Sequence, residues 1–340
     1  MHAATMHAAT LHRPGPPDTG PLVLADVRTP EPGPGEVLVA VEACGVCRTD
    51  LQLCAGDLAA RALPVVPGHQ VVGVVEATGE GVTGPEPGTR VGVTWLAGAC
   101  GTCRFCRRGA ENLCEAARFT GWDRDGGYAQ RLVADAAFVH PLPEGPTAEE
   151  LAPLLCAGVI GYRSLGVAGL TAHNAPGARL GLFGFGASAS IVIQVAVHWG
   201  CEVHVCTRSE REQAVALELG ARWAGGFDER PPVPLDAAIT TAPVGRAIRN
   251  ALAALDRGGI VAVNAIHLDE VPALPYEMLW WERQVRSVAN VTRADARQFL
   301  ELAAGIPVVT RHEERPLSEA NAALADLDAG RVDGSVVLVP

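Results

Sequence analysis

Four cysteines crowded into one short loop are the residues that point most directly to chemistry: Cys100, Cys103, Cys106 and Cys114. A loop rich in Gly and Arg does not build a hydrophobic core, whereas four thiolates around one Zn²⁺ form a closed tetrahedral site. Two disulfides would be unusual in so short a loop. In the bacterial iron–sulfur run the fourth cysteine follows after three residues and precedes proline, but here seven residues intervene and Glu115 follows. The spacing therefore predicts a structural zinc lobe over residues 96–115.

A second set of potential ligands is dispersed along the chain. The run Cys44-Gly-Val-Cys47-Arg48-Thr49-Asp50 is followed later by Gly68-His69-Gln70. A cysteine and a histidine so far apart can share a metal only if the fold brings them together. Taken without further context, a small buried cysteine and a hydrogen-bonded histidine explain the pair better.

The composition limits the class of protein. With 340 residues, 48% of them hydrophobic and 19% charged, the chain is long enough for two domains, each with its own core. A formal net charge of −11 argues against nucleic acid or an anionic membrane as the main partner. No apolar run approaches about 18 residues, and the N-terminus lacks the basic and apolar regions of a signal peptide. We therefore expect a cytoplasmic protein in which the first five residues, one copy of the repeated MHAAT sequence, form an unstructured extension.

The pattern of apolar residues changes near residue 156. Short Val-rich runs separated by Pro and Gly predict a strand-rich domain before that point. After it, an apolar strand at 180–184 leads into Gly184-Phe-Gly186-Ala-Ser-Ala189 and a helix, the context in which G-x-G-x-x-A indicates dinucleotide binding. Strands and helices then alternate, which predicts a doubly wound α/β domain over residues 157–289. The terminal strand at 335–339 is expected to rejoin the first domain, which then comprises residues 1–156 and 290–340.

Four signatures, in this order, resemble the zinc-dependent medium-chain alcohol dehydrogenases over nearly the whole chain. They are Gly45-Val-Cys47-Arg48-Thr49-Asp50, Gly68-His69, the four-cysteine lobe and Leu155-Cys156-Ala-Gly. The resemblance implies a discontinuous, β-rich, GroES-like catalytic domain and a Rossmann cofactor domain. It also implies two zinc ions per chain, a structural one in the lobe and a catalytic one held by Cys47, His69 and Cys156. Three protein ligands leave one position for water or substrate, as a catalytic zinc requires.

The same resemblance implies roles for residues around the catalytic zinc. The metal polarises an alcohol or aldehyde oxygen, so that hydride transfer becomes feasible near neutral pH. Thr49 is expected to accept the alcohol proton, although a helix-capping threonine is also compatible with the sequence. Asp50 is expected to orient His69, and Arg48 is expected to meet the cofactor pyrophosphate.

Two tryptophans and three departures from the family concern the active-site pocket. Trp95 and Trp122 are expected to line a restricted pocket for an uncharged substrate, although Trp95 also fits an ordinary core position. Gln70 stands where Glu is usual, Gln52 where a proton-relaying His is frequent, and Ile160 where Thr often contacts the nicotinamide. Because Gln70 brings no anionic charge near the metal, we expect a more electrophilic zinc, slower ligand exchange, or both.

The expected cofactor-binding residues form two groups. The resemblance assigns the first group to the glycine motif and to the end of a later strand: Gly184, Phe185, Gly186, Ala187, Ser188, Ala189, Ala265 and Ile266. The second group, Thr207, Arg208 and Ser209, ends the second strand, where an NAD enzyme usually carries an acid for the ribose 2′-hydroxyl. No acid occurs there, and Arg208 with Ser209 can bind a 2′-phosphate, although Arg208 also fits a solvated loop. We therefore expect NADP(H) to be favoured over NAD(H).

These features predict an enzyme that interconverts alcohols, primary ones in particular, and aldehydes. One alternative is an NADPH-dependent reductase of conjugated aldehydes or enones, which the three retained zinc ligands oppose. Another, from a different class, is a non-catalytic zinc-binding module, which the acidic net charge and the complete cofactor motif oppose. The run from Val285 to Ala289 lies where relatives pair their subunits, so a homodimer or homotetramer is expected.

Overall fold

The structure is a computed structural model that describes residues 4–265, 268 and 270–340. The strands are, in chain order, β1 (Thr5–Leu11), β2 (Leu22–Arg28), β3 (Glu36–Val46), β4 (Gln70–Thr78), β5 (Arg90–Val93), β6 (Leu96–Gly98), β7 (Arg118–Phe119), β8 (Arg131–Asp135), β9 (Val139–Pro141), β10 (Arg179–Phe183), β11 (Glu202–Cys206), β12 (Trp223–Gly225), β13 (Leu235–Thr240), β14 (Leu255–Val263), β15 (Gln284–Ser287), β16 (His312–Pro316) and β17 (Ser335–Val339). The helices are α1 (Arg48–Ala55), α2 (Ala148–Leu151), α3 (Ala157–Val167), α4 (Ala187–His198), α5 (Glu210–Glu218), α6 (Gly245–Ala254), α7 (Arg293–Gly305) and α8 (Ala320–Asp328).

The chain divides into two compact units. Unit 1 comprises Met1–Cys156, Asn290–Ala304 and Val309–Pro340, and unit 2 comprises Ala157–Ala289 and Gly305–Val308. Among the described residues, no helix combines the length and the apolar character needed to cross a membrane.

Unit 1 is built on a mainly antiparallel sheet in the order β16-β17-β3-β4-β5-β9, with β8 also paired to β3. Its longest strand, β3, is buried over residues 37–39 and 43–46 and half-buried between them, and Val37 and Val39 are fully buried. Val71 on β4 and Leu132 on β8 belong to the same core. Each valine buried in this way contributes roughly 1.5 to 3 kcal/mol relative to an exposed one.

The two ends of the chain are both incorporated into unit 1. The terminal strand β17 pairs with β3 in antiparallel register, with Val337 opposite Gly45, which confirms the expectation that this strand rejoins the first part of the chain. The expectation of an unstructured extension over the first five residues is wrong at Thr5, because that residue begins β1 and pairs with Arg28 of β2. Residues 1–3 lie outside the described part of the chain.

Unit 2 contains a parallel sheet in the order β12-β11-β10-β13-β14-β15, which is the strand order of a doubly wound dinucleotide-binding fold. This sheet and the strand-rich unit 1 confirm the α/β fold class. Helix α4 follows β10 and packs on α3, where a Cβ added to Gly161 would lie 3.1 Å from Val192. In this sheet, the strand that the sequence did not predict is β12, whose three residues, Trp223–Gly225, are too few to form a recognisable pattern.

Candidate metal centre and cofactor site

The first candidate ligand, Cys47, lies at the junction of β3 and α1. It is the N-cap residue of α1 and has an extended backbone. Asp50, three residues later, accepts a hydrogen bond from the Cys47 N–H through Oδ2 at 2.9 Å, which is the return contact of a capping box. Thr49, in the first turn, is buried, and its Oγ1 lies 3.8 Å from Cys47 Sγ. The start of α1 therefore fixes a sulfur, a hydroxyl and a carboxylate together.

His69 lies immediately before β4 and is held by the same carboxylate. Its Nδ1 is 3.0 Å from Asp50 Oδ1, and the Gly68 N–H donates to that oxygen at 3.1 Å. Gly68 has a φ of +97°, and a Cβ there would lie 2.4 Å from the ring of Tyr128, so only glycine fits. Because Asp50 occupies Nδ1, the imidazole is oriented with Nε2 as the atom that can bind a metal.

Cys156 completes a cluster of three candidate ligands. It follows the 3-10 turn Ala152–Leu155, and its Sγ lies 3.9 Å from Cys47 Sγ. The ligand atoms of Cys47, His69 and Cys156 all lie within 4.8 Å of one another. His69 Nε2 is buried and has no hydrogen-bond partner in the part of the chain that the structure describes. A buried imidazole nitrogen beside two sulfurs fits the Cys₂His ligand set of a metal site with one open position.

The pKa values of the three candidate ligands are shifted in different directions. The pKa of Cys47 lies well below its usual range, because Cys47 hydrogen-bonds Cys156 and lies beside the His69 ring. The same contact and burial raise the pKa of Cys156. Burial lowers the pKa of His69, but the Asp50 carboxylate outweighs this effect and raises it to about 10. A metal needs thiolates and a neutral imidazole, so its binding here releases protons.

The four-cysteine lobe lies between β6 and β7, which pair in antiparallel register. Its four sulfurs lie within 4.8 Å of one another. Backbone N–H groups donate to three of them: Cys103 to Cys100 Sγ at 3.3 Å, Cys106 to Cys103 Sγ at 3.5 Å, and Cys100 to Cys114 Sγ at 3.3 Å. Such donors stabilise thiolates, and all ten cysteines of the chain are free of disulfides. The lobe fits a closed tetrahedral zinc site.

A partly buried ion pair connects the lobe to helix α7. Glu111 is 8% exposed and accepts hydrogen bonds from the Arg293 N–H at 2.7 Å and from its Nη2 at 2.8 Å. Burial alone would raise the pKa of Glu111, but the hydrogen bonds from Arg293 lower it overall. The position of the lobe within unit 1 therefore depends on more than its cysteines.

Both predicted pocket tryptophans belong to an aromatic cluster, which consists of Trp95, Phe119 and Trp122. The ring centroids of Trp95 lie 4.6 Å from Phe119 and 6.0 Å from Trp122. The His69 ring lies 6.0 Å from Trp95, which connects the aromatic cluster to the metal ligands. The sequence did not single out Phe119, because its neighbours carry no motif.

An arginine that the sequence also missed covers the aromatic cluster. The Arg61 guanidinium lies 3.7 Å from the centroid of the Trp122 ring, and its Nη1 donates to Asp123 Oδ1 at 3.1 Å. Trp122 Nε1 in turn donates to the Ala59 carbonyl at 2.9 Å. Two contacts from the segment after α1 therefore fix the plane of one indole ring, and Asp123 fixes the arginine that makes one of them.

In unit 2 the glycine motif has the local geometry that a pyrophosphate needs. Gly184 has a φ of +95°, and a Cβ there would lie 2.8 Å from the backbone nitrogen of Ala242. A Cβ added to Gly186 would meet no described atom within 4 Å, so this surface is open for close approach. Gly186 is the N-cap of α4 and offers no side-chain oxygen to the first helical amides. Those amides, Ala187 to Ala189, are available to an anion.

The other residues of the motif have structural contacts of their own. Phe185 is buried, Ser188 Oγ donates to the Ala157 carbonyl at 2.9 Å, and Ala189 is fully buried against the sheet. Ala265 follows β14 and is half-buried. Ile266 lies outside the described residues, so its predicted contact with a cofactor stays a prediction.

Helix α5 places an acid, Glu212, against the tip of β11, which the residues of the tip did not predict. Thr207 is buried and its hydroxyl donates to the carboxylate of Glu212. Ser209 is the N-cap of α5 and accepts a hydrogen bond from the Glu212 N–H at 3.3 Å, whereas Arg208 is exposed. The spacing Ser209-x-x-Glu212 could have predicted this contact, because it is typical of the start of a helix. At such a start the glutamate side chain turns back toward the preceding strand.

Arg48 is exposed at the first position of α1 in unit 1, and the glycine motif lies in unit 2. Its contact with a pyrophosphate therefore stays a prediction.

The chain is similar to known proteins over its whole length. The family described as alcohol dehydrogenase GroES-like domain matches residues 33–144. A probable alcohol dehydrogenase of Mycobacterium tuberculosis, AdhA, is 53% identical over 99% of this chain and 98% of its own. An alcohol dehydrogenase of Geobacillus stearothermophilus is 34% identical over 94% of this chain and 96% of its own.

A solved structure extends the likeness to three dimensions. The cobalt- and zinc-bound thermostable alcohol dehydrogenase of Pyrobaculum aerophilum superimposes with a TM-score of 0.88 at 28% identity, covering 99% of this chain and 100% of that one. Together with the relatives and the two cysteine-containing clusters, this likeness establishes an oxidoreductase that acts on alcohols and aldehydes. The chain belongs to the zinc-containing medium-chain alcohol dehydrogenase family.

Proposed function

We propose that this protein interconverts alcohols, primary ones in particular, and aldehydes at a zinc ion held by Cys47, His69 and Cys156, with a nicotinamide cofactor as hydride carrier. The observation that carries the proposal is the buried His69 Nε2, which has no hydrogen-bond partner among the described residues while Asp50 holds Nδ1. A nitrogen buried in this way is costly unless it binds something. Two cysteine sulfurs beside it make a metal the best occupant.

The side chains around this cluster have different roles in the proposed reaction. A zinc ion bound there supplies a Lewis acid that polarises the substrate oxygen. Asp50 holds the imidazole in the orientation and tautomer that a ligand needs. Thr49 Oγ1, buried at 3.8 Å from Cys47 Sγ, accepts the proton of the alcohol and passes it onward. Gln52, in the same helix, cannot titrate, so water or another residue has to carry that proton to the solvent.

A second zinc ion in the four-cysteine lobe would have a structural role. Four thiolates fill a tetrahedral shell, so a metal there has no position for substrate. The ion pair between Glu111 and Arg293 supports the same role, because it anchors the lobe independently of any reaction.

The glycine motif of unit 2 supports binding of a nicotinamide dinucleotide. The open surface at Gly186 and the uncapped first turn of α4 favour a pyrophosphate. Arg208, exposed beside Ser209, favours the 2′-phosphate of NADP(H) over the 2′-hydroxyl of NAD(H).

The aromatic cluster supports an uncharged substrate of limited size, because Trp95 and Trp122 are stacked near His69. The edge strand β15, with Arg286 and Ser287 exposed, supports pairing of two subunits through their sheets. A homodimer, or a homotetramer built from such dimers, is the assembly that we propose.

A panel of linear, branched and aromatic alcohols, each assayed with NADP⁺ and NAD⁺, tests the proposed reaction. We expect turnover of primary alcohols and a higher kcat/KM with NADP⁺. A preference of about tenfold or more for NAD⁺ would overturn the cofactor assignment. No oxidation of any alcohol, and no reduction of the matching aldehydes, would overturn the reaction itself.

A further inference from the structure

The tip of β11 carries a negative charge that the residues of the tip do not reveal. The segment from Thr207 to Ser209 contains a hydroxyl, a guanidinium and a second hydroxyl, but no acid. In the fold, the first turn of α5 brings Glu212 back to this tip, where its Oε2 accepts the hydrogen bond of the Thr207 hydroxyl. The carboxylate is half-buried and Thr207 is 3% exposed.

Several further contacts fix the segment that carries this carboxylate. Ser209 Oγ accepts the Glu212 N–H at 3.3 Å, and Gln213 Nε2 donates to the Thr207 carbonyl at 3.0 Å. The Thr207 N–H donates to the Gly225 carbonyl of β12 at 3.0 Å. A glutamate three residues after a serine N-cap commonly returns to the N-cap amide. Here it reaches further, to the side chain that ends the strand, so its charge lies at the tip itself.

We propose that Glu212 is a specificity-determining residue, which opposes the 2′-phosphate of NADP(H) and accepts the ribose 2′-hydroxyl of NAD(H). The proposal rests on the proposed function of unit 2 as a dinucleotide-binding unit. In folds of this type an acid that follows the second strand hydrogen-bonds the ribose, and its charge repels a phosphate at that carbon. Glu212 supplies that acid from the following helix, and Arg208 supplies the opposing cation. The preference between the two cofactors is therefore a balance between these two side chains.

Equilibrium binding of NADP⁺ and NAD⁺ to the zinc-loaded protein, followed by isothermal titration calorimetry, tests this balance. Glu212→Gln removes the charge but keeps the length of the side chain and an oxygen that can accept the Thr207 hydroxyl. We expect the ratio of the dissociation constants, NAD⁺ over NADP⁺, to rise about tenfold in this variant. The matched control is Glu210→Gln, which removes an exposed acid from the same first turn of α5. It should leave the ratio unchanged.

Each other outcome has a defined meaning. An unchanged ratio in Glu212→Gln, with both dinucleotides still bound, would overturn the role of Glu212 and leave unit 2 as a dinucleotide-binding unit. An equal rise in Glu210→Gln would also overturn it, because the effect would then come from the general charge of the helix start. Wild-type protein that binds neither dinucleotide would overturn the dinucleotide site, and this proposal with it. As a second readout, the ratio of kcat/KM for NADPH to that for NADH should rise in parallel in Glu212→Gln.

Discussion

Asp50 is the residue on which the geometry of the candidate metal centre depends. Its Oδ1 accepts from His69 Nδ1 and the Gly68 N–H, and its Oδ2 accepts from the Cys47 N–H and the Tyr128 hydroxyl. One buried carboxylate thus connects two of the three predicted ligands. Since a carboxylate that orients a ligand histidine also raises its basicity, Asp50 affects how tightly a metal is held.

Replacing Asp50 with Asn should weaken zinc binding roughly 10- to 100-fold. The amide removes the negative charge, and its NH₂ group cannot accept the two hydrogen bonds that the replaced oxygen accepts in the wild type. Chelator competition on the purified protein measures the change. Asp57→Asn, an exposed position just after the same helix, is the matched control. Zinc affinity that is equal in Asp50→Asn and wild type would contradict the role that we assign to Asp50.

Individual site residues were predictable from sequence to different degrees. The four cysteines of the lobe lie close together in the sequence, so their spacing alone predicts a metal. Cys47, His69 and Cys156 come together only through the folded sheet, and the family resemblance rather than their spacing connected them. Glu212 was missed because the chain turns back on itself after β11, which residue order along the strand does not show.

At the scale of elements, the segment between α1 and β4 supports the aromatic cluster. Arg61 lies over Trp122 and pairs with Asp123, whose Oδ2 also accepts the Phe119 N–H at 2.9 Å. A cation above an indole ring contributes about 1 kcal/mol. The segment therefore restricts the motion of the aromatic wall that we propose for the substrate pocket.

Arg61→Gln should make the side chains of the aromatic cluster more mobile. We expect the KM for a bulky aromatic alcohol to change about fivefold, which corresponds to the loss of one cation–π contact. The kcat for ethanol should stay within about twofold, because the metal ligands are untouched. Arg28→Gln, which removes an exposed arginine paired with Glu31, serves as the control. Equal effects on both alcohols would contradict a role in the pocket and indicate a general loss of stability.

The elements themselves were predictable where their pattern is long. The bounds predicted for β17, residues 335–339, agree with the structure, because a continuous apolar run after a turn residue marks this strand. The three-residue strand β12 has no such run. The prediction for the first five residues is wrong at Thr5, because a repeat of small residues gives no sign that β1 will pair with β2.

For the molecule as a whole, the buried histidine of β9 adds an acid-sensitive component of stability. His140 is 3% exposed, and its Nε2 has no hydrogen-bond partner among the described residues. Burial, with the nearby charges of Arg297 and Arg293, lowers its pKa to about 4, although Glu111 acts in the opposite direction. Since the unfolded chain has a histidine pKa of about 6.5, it binds this proton more readily than the folded chain.

The stability that His140 contributes should be complete above about pH 6.5 and should be lost as the pH falls toward 4. His140→Gln stays neutral over this range, so its thermal unfolding midpoint should fall less between pH 7 and pH 5 than that of wild type. The exposed His198 provides the control variant, His198→Gln. Parallel pH profiles for wild type and His140→Gln would contradict this assignment.

Fold class and family were accessible from the sequence, because the glycine motif and the cysteine spacings are local and the strand–helix alternation is long. The family now follows from relatives that match nearly the whole chain. The assembly of subunits, unlike the fold class and the family, cannot be predicted from local sequence patterns. Pairing through β15 depends on a second copy of the chain and on exposed side chains such as Arg286, which carry no periodic signal. It stays a prediction.

The central claim is that the metal at Cys47, His69 and Cys156 performs the reaction while the metal of the lobe stabilises the fold. Zinc content measured together with turnover, in wild type, Cys156→Ser and Cys103→Ser, tests it most directly. We expect about two zinc ions per wild-type chain. Cys156→Ser should lose one zinc and turnover about a thousandfold, whereas Cys103→Ser should lose stability but keep its turnover per zinc-loaded active site. A selective collapse of turnover in Cys103→Ser, or full turnover in Cys156→Ser, would contradict the claim.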